Sequence, residues 1–391
     1  MASTVEVPTS GSSDKWFNVR QRLETQEVNP QTSSPFYNGR IPPEIRNLIF
    51  KFAVAEFPSP EAPTLKPDVW VQQSHDLAPT DHIQEAVPQG RGIGMSSRTQ
   101  KPYFDWLRFD NTEPMRVDAA LLLTCRRVYL ETYSLPLLQA EQRFYCHRGP
   151  RRDDSVASRT DIHQFIASWL SKPAPVPVPD LKQKDLVRSV RLFLQQNWLE
   201  DTLPQFVITN AWFTNLEHLR ITLRRSDWWD WEQNATLRIN PFKGNCCHVH
   251  TIDLMRRDMS TETGNVDFAP GAWGSAFSHM SKLKTLTIDF ETSEDKHDEM
   301  EIIVDWALKW RFPLPDSRHL CAHQPASKMS WRGFAYHWSD LCVSCGNRAL
   351  PVRRRPGSEC LKCIERFRLV SHDYGPQLLI WTVLWKPVQD I

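Results

Sequence analysis

Apolar positions along the chain fall into two helical stripes in the first third and a series of strand-like runs after residue 180. In 41–54, IPPEIRNLIFKFAV, the residues Ile41, Ile45, Leu48, Ile49 and Phe52 recur at helical spacing and predict a short helix with one apolar face. Its prolines suit the first turn, where backbone N–H groups lack intrahelical acceptors, and Glu44 complements the helix dipole. A second helix is predicted over 118–139. There Leu121, Leu122, Cys125, Val128, Tyr129 and Thr132 form a stripe opposite Arg126, Arg127, Glu131 and Ser134. Beyond residue 180 one pattern, apolar at i, i+3 and i+5, occurs four times. It is carried by Val187/Val190/Leu192, Leu216/Leu219/Ile221, Val249/Ile252/Leu254 and Leu283/Leu286/Ile288, at intervals of 29, 33 and 34 residues. Stacked repeat strands leave this trace, and so does an ordinary α/β or α+β sheet with crossover segments. A further helix is predicted over 298–311 from Ile302, Ile303, Trp306 and Trp310, and a strand over 378–385, LLIWTVLW.

Breaks in the pattern set the domain boundaries. Residues 1–35 are rich in Ser, Thr, Pro, Gln and Glu and read as a disordered tail. Residues 54–102 are dominated by Pro, Gln, Ser and Gly and read as a long loop with one strand near Val69–Val71. The stretch KPAPVPVPD (172–180) alternates proline and holds the chain extended. The expected organisation is α+β: a helical module over 36–171 with a long insertion, a linker over 172–184, a repeat-like sheet with crossover segments over 185–318, and a carboxy-terminal region over 319–391.

Composition narrows the function classes. The chain has 391 residues, 47 Lys+Arg against 46 Asp+Glu, and a formal net charge of +1. That balance argues against bulk electrostatic binding to nucleic acid or to an anionic membrane. No apolar run approaches the ~18–20 residues of a membrane span. Met1–Asp14 has no apolar core of a secretory signal, so a cytoplasmic or nuclear protein is expected. No phosphate-binding glycine loop, G-x-S-x-G elbow, H-E-x-x-H or kinase signature is present, so neither a catalytic nor an organic-cofactor site is assigned and the expectation is a non-enzyme.

Two segments carry a family resemblance. RIPPEIRNLIFKFA (40–53) and ALLLTCRRVYLETYSLPL (120–137) resemble the F-box-like module of many uncharacterised proteins of filamentous fungi, over roughly residues 35–148. The resemblance implies a small helical module that docks a Skp-type adaptor of a cullin–RING ubiquitin ligase, with an unknown client bound elsewhere. Ile45, Leu48, Ile49 and Phe52 are then either the adaptor-docking residues or the core of the module. Ile41 stands where that family carries Leu, and about 60 residues separate the two helices. The repeat spacing resembles a degenerate leucine-rich repeat without its closing asparagine.

The nine cysteines are odd in number, which speaks against a disulfide framework. Four form two C-x-x-C pairs, Cys342/Cys345 and Cys360/Cys363, separated by fourteen residues. Two such turns supply the tetrahedral thiolate set of one structural Zn²⁺; four reduced core thiols or an iron–sulfur cluster are the other readings. Four ligands leave no open coordination position, so the site is not a catalytic one. His319, Cys321 and His323 alternate upstream but are one donor short. Arg348, Arg353, Arg354 and Arg355 lie between the pairs, as a solvated charge run or as the basic loop of a nucleic-acid-binding or regulatory zinc ribbon. Trp228, Trp229 and Trp231 cluster in SDWWDWE, as a recognition patch or as core and rim.

Overall fold

A computed structural model describes residues 27–58, 108, 111, 115–118, 120–146, 171, 182–244, 251–261, 267–346, 360–371 and 374–389. The chain divides into two compact units. The described residues of the first are 27–58, 115–118, 120–140, 171 and 182–188. Those of the second are Arg108, Asn111, 141–146 and everything described from Ser189 onward. Most of the expected tail, the strand near Val69–Val71 and the Pro-rich stretch 172–180 lie outside the described residues.

The first unit is built on α1 (Pro43–Ala53), with proline in its first turn as expected. Its buried side is not the periodic stripe. Phe50 and Val54 are buried, whereas Ile45, Leu48, Ile49 and Phe52 face solvent, with Phe52 74% exposed. Arg46, on the inner side, holds α1 to α2 (Arg126–Thr132): its Nε lies 3.2 Å from Glu131 Oε2, and Nη1 donates to the Phe36 carbonyl at 2.9 Å. The guanidinium groups of Arg46 (4.8 Å) and Arg127 (3.9 Å) lie over the Tyr37 ring, and Phe36 stacks on Phe50 at 5.8 Å. Burial, and then the Glu131 carboxylate, push the Tyr37 phenol up to about 12. β1 (Glu56–Pro58) pairs antiparallel with β2 (Met115–Val117), so the two ends of the long insertion are clipped together.

The single helix expected over 118–139 is broken into a 3₁₀ turn at Ala120–Leu123, α2, and α3 (Leu135–Gln139). Cys125 is extended at the entry to α2, and Pro136 sits in the first turn of α3, where it cannot donate to the turn before it. α4 (Gln183–Leu186) adds Leu186, which packs against Tyr133, Leu137 and Leu138.

The second unit is an eight-stranded mixed sheet. Its strands are β3 (Glu141–Tyr145), β4 (Ser189–Phe193), β5 (His218–Leu223), β6 (Thr285–Ser293), β7 (Arg311–Pro313), β8 (Arg318–Ala322), β9 (Ser327–Phe334) and β10 (Tyr374–Gln389). The order is β3-β4-β5-β6-β10-β8-β7, with β9 also paired to β10. The first four are parallel, and β10 runs antiparallel to β6, β8 and β9. Three of the four repeat motifs form these strands, and in register: Val190 faces Leu219 and Leu219 faces Leu286, while Leu192 faces Ile221 and Ile221 faces Ile288. All six are buried. Of the third motif, Ile252 and Leu254 are instead helical, in α6 (Thr251–Ser260), and Val249 lies outside the described residues. Asp253, Arg256 and Arg257 interrupt its apolar positions, and such a segment cannot sit between two buried faces of a parallel sheet. The expected boundary at 318/319 is crossed by the β7–β8 pairing, and the edge strand β3 comes from the segment expected in the helical module.

Helices α5 (Leu203–Thr209) and α7 (His297–Ala307) belong to the same unit. Trp273, Phe277, Trp310, Phe312 and Trp385 form one buried aromatic cluster, with ring centroids 4.9–6.3 Å apart. The opposite side of β4–β6 is polar and centred on Asp289, which is fully buried. It accepts from Arg191 Nη2 (3.1 Å), Arg220 Nε (2.7 Å) and Nη2 (3.0 Å), Thr222 Oγ1 (2.7 Å) and Thr382 Oγ1 (2.8 Å). These donors stand on β4, β5 and β10, so one carboxylate on β6 joins four adjacent strands. Asp289→Asn removes the countercharge of two arginines and leaves Arg191 buried without it. We expect a loss of about 3–5 kcal/mol in urea denaturation. A loss below about 1 kcal/mol would show the network to be dispensable.

Candidate metal centre

The two C-x-x-C pairs are brought together by a turn and a helix start. Cys342 opens a turn that closes when the Gly346 N–H donates to the Cys342 carbonyl at 2.8 Å; Gly346 takes φ +66°, a conformation open to glycine. Cys360 immediately precedes α8 (Leu361–Ser371), its carbonyl accepts from the Ile364 N–H at 3.1 Å, and Cys363 is the third residue of the helix. The second pair therefore lies at a helix amino terminus, whose partial positive charge favours thiolates.

The four sulfurs all lie within 4.8 Å of one another. The pairs Cys342–Cys360 and Cys345–Cys363 are 3.8 and 3.6 Å apart. Sulfurs at about 2.3 Å from a tetrahedral ion sit roughly 3.8 Å apart, so the spacing fits one metal ion held by all four residues. Cys342 is 6% exposed, Cys360 and Cys363 are half-buried, and Cys345 is exposed. Burial raises the Cys342 thiol, but the backbone N–H groups of Cys345 and Ser344 and the neighbouring thiols outweigh it and hold Cys342 at about 7. Burial, and then the hydrogen bonds with Cys342, Cys345 and Cys360, push Cys363 upward. Metal-free, the cluster divides its protons unevenly; a bound cation would take them from all four.

Groups that the sequence did not single out flank the centre. The backbone N–H of Asp340 donates to the Glu232 carbonyl at 2.8 Å. Trp338 Nε1 donates to the Tyr374 carbonyl at 3.1 Å, and the Arg366 guanidinium lies 5.3 Å from the Trp338 ring centroid. The nearness of Trp338 to Cys342 in sequence was the available signal. His337 is buried beside Trp331 (5.6 Å), and its Nδ1 accepts from the Phe334 N–H at 2.9 Å. Burial, then the positive charges of Arg225, Arg224 and Arg108, press its pKa down to about 3.

Of the other candidates, His319 and Cys321 lie on β8 and His323 just after it. Among the described residues, the four-cysteine group is the one cluster of three or more such metal donors. Trp228 is core, with Nε1 donating to the Glu291 carbonyl at 2.8 Å. Trp229 is half-buried and donates to Glu200 at 3.1 Å, and Trp231 is half-buried with its ring 4.9 Å from the Arg225 guanidinium. The cluster therefore serves core and rim. Cys125 is half-buried at the entry to α2. Arg348, Arg353, Arg354 and Arg355 lie outside the described residues. Among the described residues no helix is long and apolar enough to cross a membrane. Compared with protein-family models, curated proteins and solved structures, the chain matches none.

Two outcomes follow from this geometry. Elemental analysis of the purified chain should return one metal ion per chain, and Cys360→Ser should release it. That variant should expose amides at 340–346 and 360–371 to hydrogen exchange while leaving α1 and α2 protected. His337 stays neutral in the folded chain while the unfolded chain takes up its proton near 6.5. Its contribution to stability is therefore complete above pH ~6.5 and is lost as the pH falls toward 3. His337→Asn keeps an acceptor for the Phe334 N–H and should flatten melting temperature against pH between about 6.5 and 4. An unchanged acid slope would mean that His337 titrates normally.

Proposed function

We propose that this chain is a non-enzymatic protein-interaction protein, an F-box-type substrate adaptor whose first unit docks a Skp-type protein of a cullin–RING ubiquitin ligase. The observation that carries this is the outer face of α1. Ile45, Leu48, Ile49 and Phe52 follow an i, i+3, i+4, i+7 pattern and are 49%, 50%, 39% and 74% exposed. Four large apolar side chains in one stripe on a helix that already buries Phe50 on its other side form a surface to be covered by a partner. Two features support the module. The Arg46–Glu131 pair joins the two segments that carry the family resemblance. The β1–β2 ribbon clips the base of the insertion that separates them. On this reading the second unit supplies the client surface. The metal is one structural Zn²⁺: four thiolates are the donor set of closed zinc sites, and they leave no position for a reacting water.

The test is binding of the full chain to the cognate Skp-type adaptor by titration calorimetry. We expect micromolar or tighter affinity for the native chain. Leu48→Ala with Phe52→Ala should weaken it at least about tenfold, because each side chain buried at an interface contributes about 1.5–3 kcal/mol. The melting temperature should hardly move, since both residues are exposed. No binding by the native chain at micromolar concentration would end the ligase reading. Zinc is checked separately, by mass spectrometry of the metal content.

A further inference from the structure

The four cysteines are unequal in a way that a purely structural ion does not require. Cys342 is almost wholly buried, yet Cys345 lies at the surface. Two close sulfur–sulfur approaches cross between the turns, Cys345–Cys363 at 3.6 Å and Cys342–Cys360 at 3.8 Å. Metal binding keeps these sulfurs as thiolates, the nucleophilic form, and thiolates that are accessible and beside a second thiol are the ones that oxidise reversibly. Each close pair joins the turn 342–346 to the start of α8, the same two segments that a metal ion would tie together.

We propose that this centre is a peroxide-responsive redox switch in which Cys345 is the entry thiolate and Cys363 the resolving one. The proposal rests on the zinc reading given above. The Cys345 sulfur attacks one oxygen of hydrogen peroxide, the O–O bond breaks, and the leaving hydroxide takes up a proton to become water; Cys345 is now a sulfenic acid. The Cys363 sulfur then attacks the Cys345 sulfur. An S–S bond forms, the S–O bond breaks, and the second hydroxide leaves as water after protonation. Two electrons have passed from two thiolates to one molecule of hydrogen peroxide, and the ion has lost two of its four ligands and departs. A second molecule of hydrogen peroxide oxidises Cys342 and Cys360 by the same steps. Because both disulfides cross between the turns, each replaces a link that the ion made, and α8 stays in place without metal.

The test uses the full chain, reduced and loaded with zinc, with its metal content measured first. Hydrogen peroxide is added stepwise while a chromogenic chelator reports zinc and peptide mapping locates disulfides. One zinc should be released for each chain that gains a first disulfide, and that disulfide should be Cys345–Cys363. Dithiothreitol with added zinc should restore the starting state. Substituting a single ligand cysteine is itself expected to release the ion, so the order in which disulfides form in the native chain decides the matter. Zinc retained through excess peroxide would overturn the proposal. So would a first disulfide within either C-x-x-C pair, or sulfinic acid formed without any disulfide. A chain that holds no metal before peroxide is added would instead refute the zinc reading, and the pairing would then be read on the metal-free thiols.

Discussion

The sheet of the second unit turns on one buried carboxylate. β6 is where the parallel half meets the antiparallel half, and a parallel strand and a long antiparallel strand must be held in register on its two sides. On one face the register is kept by apolar pairs such as Leu219–Leu286 and by Trp385 beside Leu286. On the other face Asp289 collects donors from β4, β5 and β10. A one-residue slip of any of these strands would turn its donor to the opposite face and leave Arg191 or Asp289 buried and unpaired. The cost of that state is what makes the network a register lock, whatever its net contribution to stability. The apolar face alone would tolerate a slip of two residues, because Val190/Leu192 and Leu219/Ile221 can re-pair two along. A single carboxylate cannot.

A second buried charge cluster stands at the ends of β5 and β6. Glu291 receives the Arg225 N–H at 3.1 Å and Trp331 Nε1 at 3.1 Å, and pairs with Arg108 at 3.3 Å. Arg224 is neutralised locally by Asp227 at 2.6 Å. Arg225 keeps part of its guanidinium buried against Trp231, and burial lowers its pKa to about 10. Burial first, and then this concentration of arginines, keep His337 neutral: a further cation there would lose its water and meet like charge.

What the sequence made legible was local. The spacing of Val190, Leu219 and Leu286 revealed three parallel strands because each motif encodes its own alternation. The C-x-x-C pairs revealed their centre because each turn is complete within four residues. The helix at 41–54 was legible as a helix, but its stripe gave no sign of which way it faced. Periodicity reports an apolar face, and an inward face and a docking face carry the same residues. Here Arg46, Phe50 and Val54 took the inner side because Arg46 has Glu131, Phe36 and Tyr37 to satisfy it. The break between Thr132 and Leu135 was written in Pro136 and overridden by the apolar pattern on either side. The central place of β10 was not legible at all. Its paired residues lie between 40 (Tyr374–Phe334) and 99 (Trp385–Leu286) positions earlier, and only register, not composition, says that Thr382 reaches Asp289.

That central place gives the metal centre a structural consequence. α8 ends at Ser371 and β10 begins at Tyr374, so the helix that carries Cys363 leads almost directly into the strand bonded to β6, β8 and β9. Trp338, between β9 and Cys342, bonds the first residue of β10 and lies beneath Arg366 of α8. A tie between the turn 342–346 and α8 therefore joins two segments that lead to strands β9 and β10 of one sheet. The entropy cost of such a tie grows only slowly with the number of residues between the joined segments. One metal ion held by all four sulfurs would satisfy that requirement. The tie at this centre and the register that Asp289 maintains thus meet on one strand, β10.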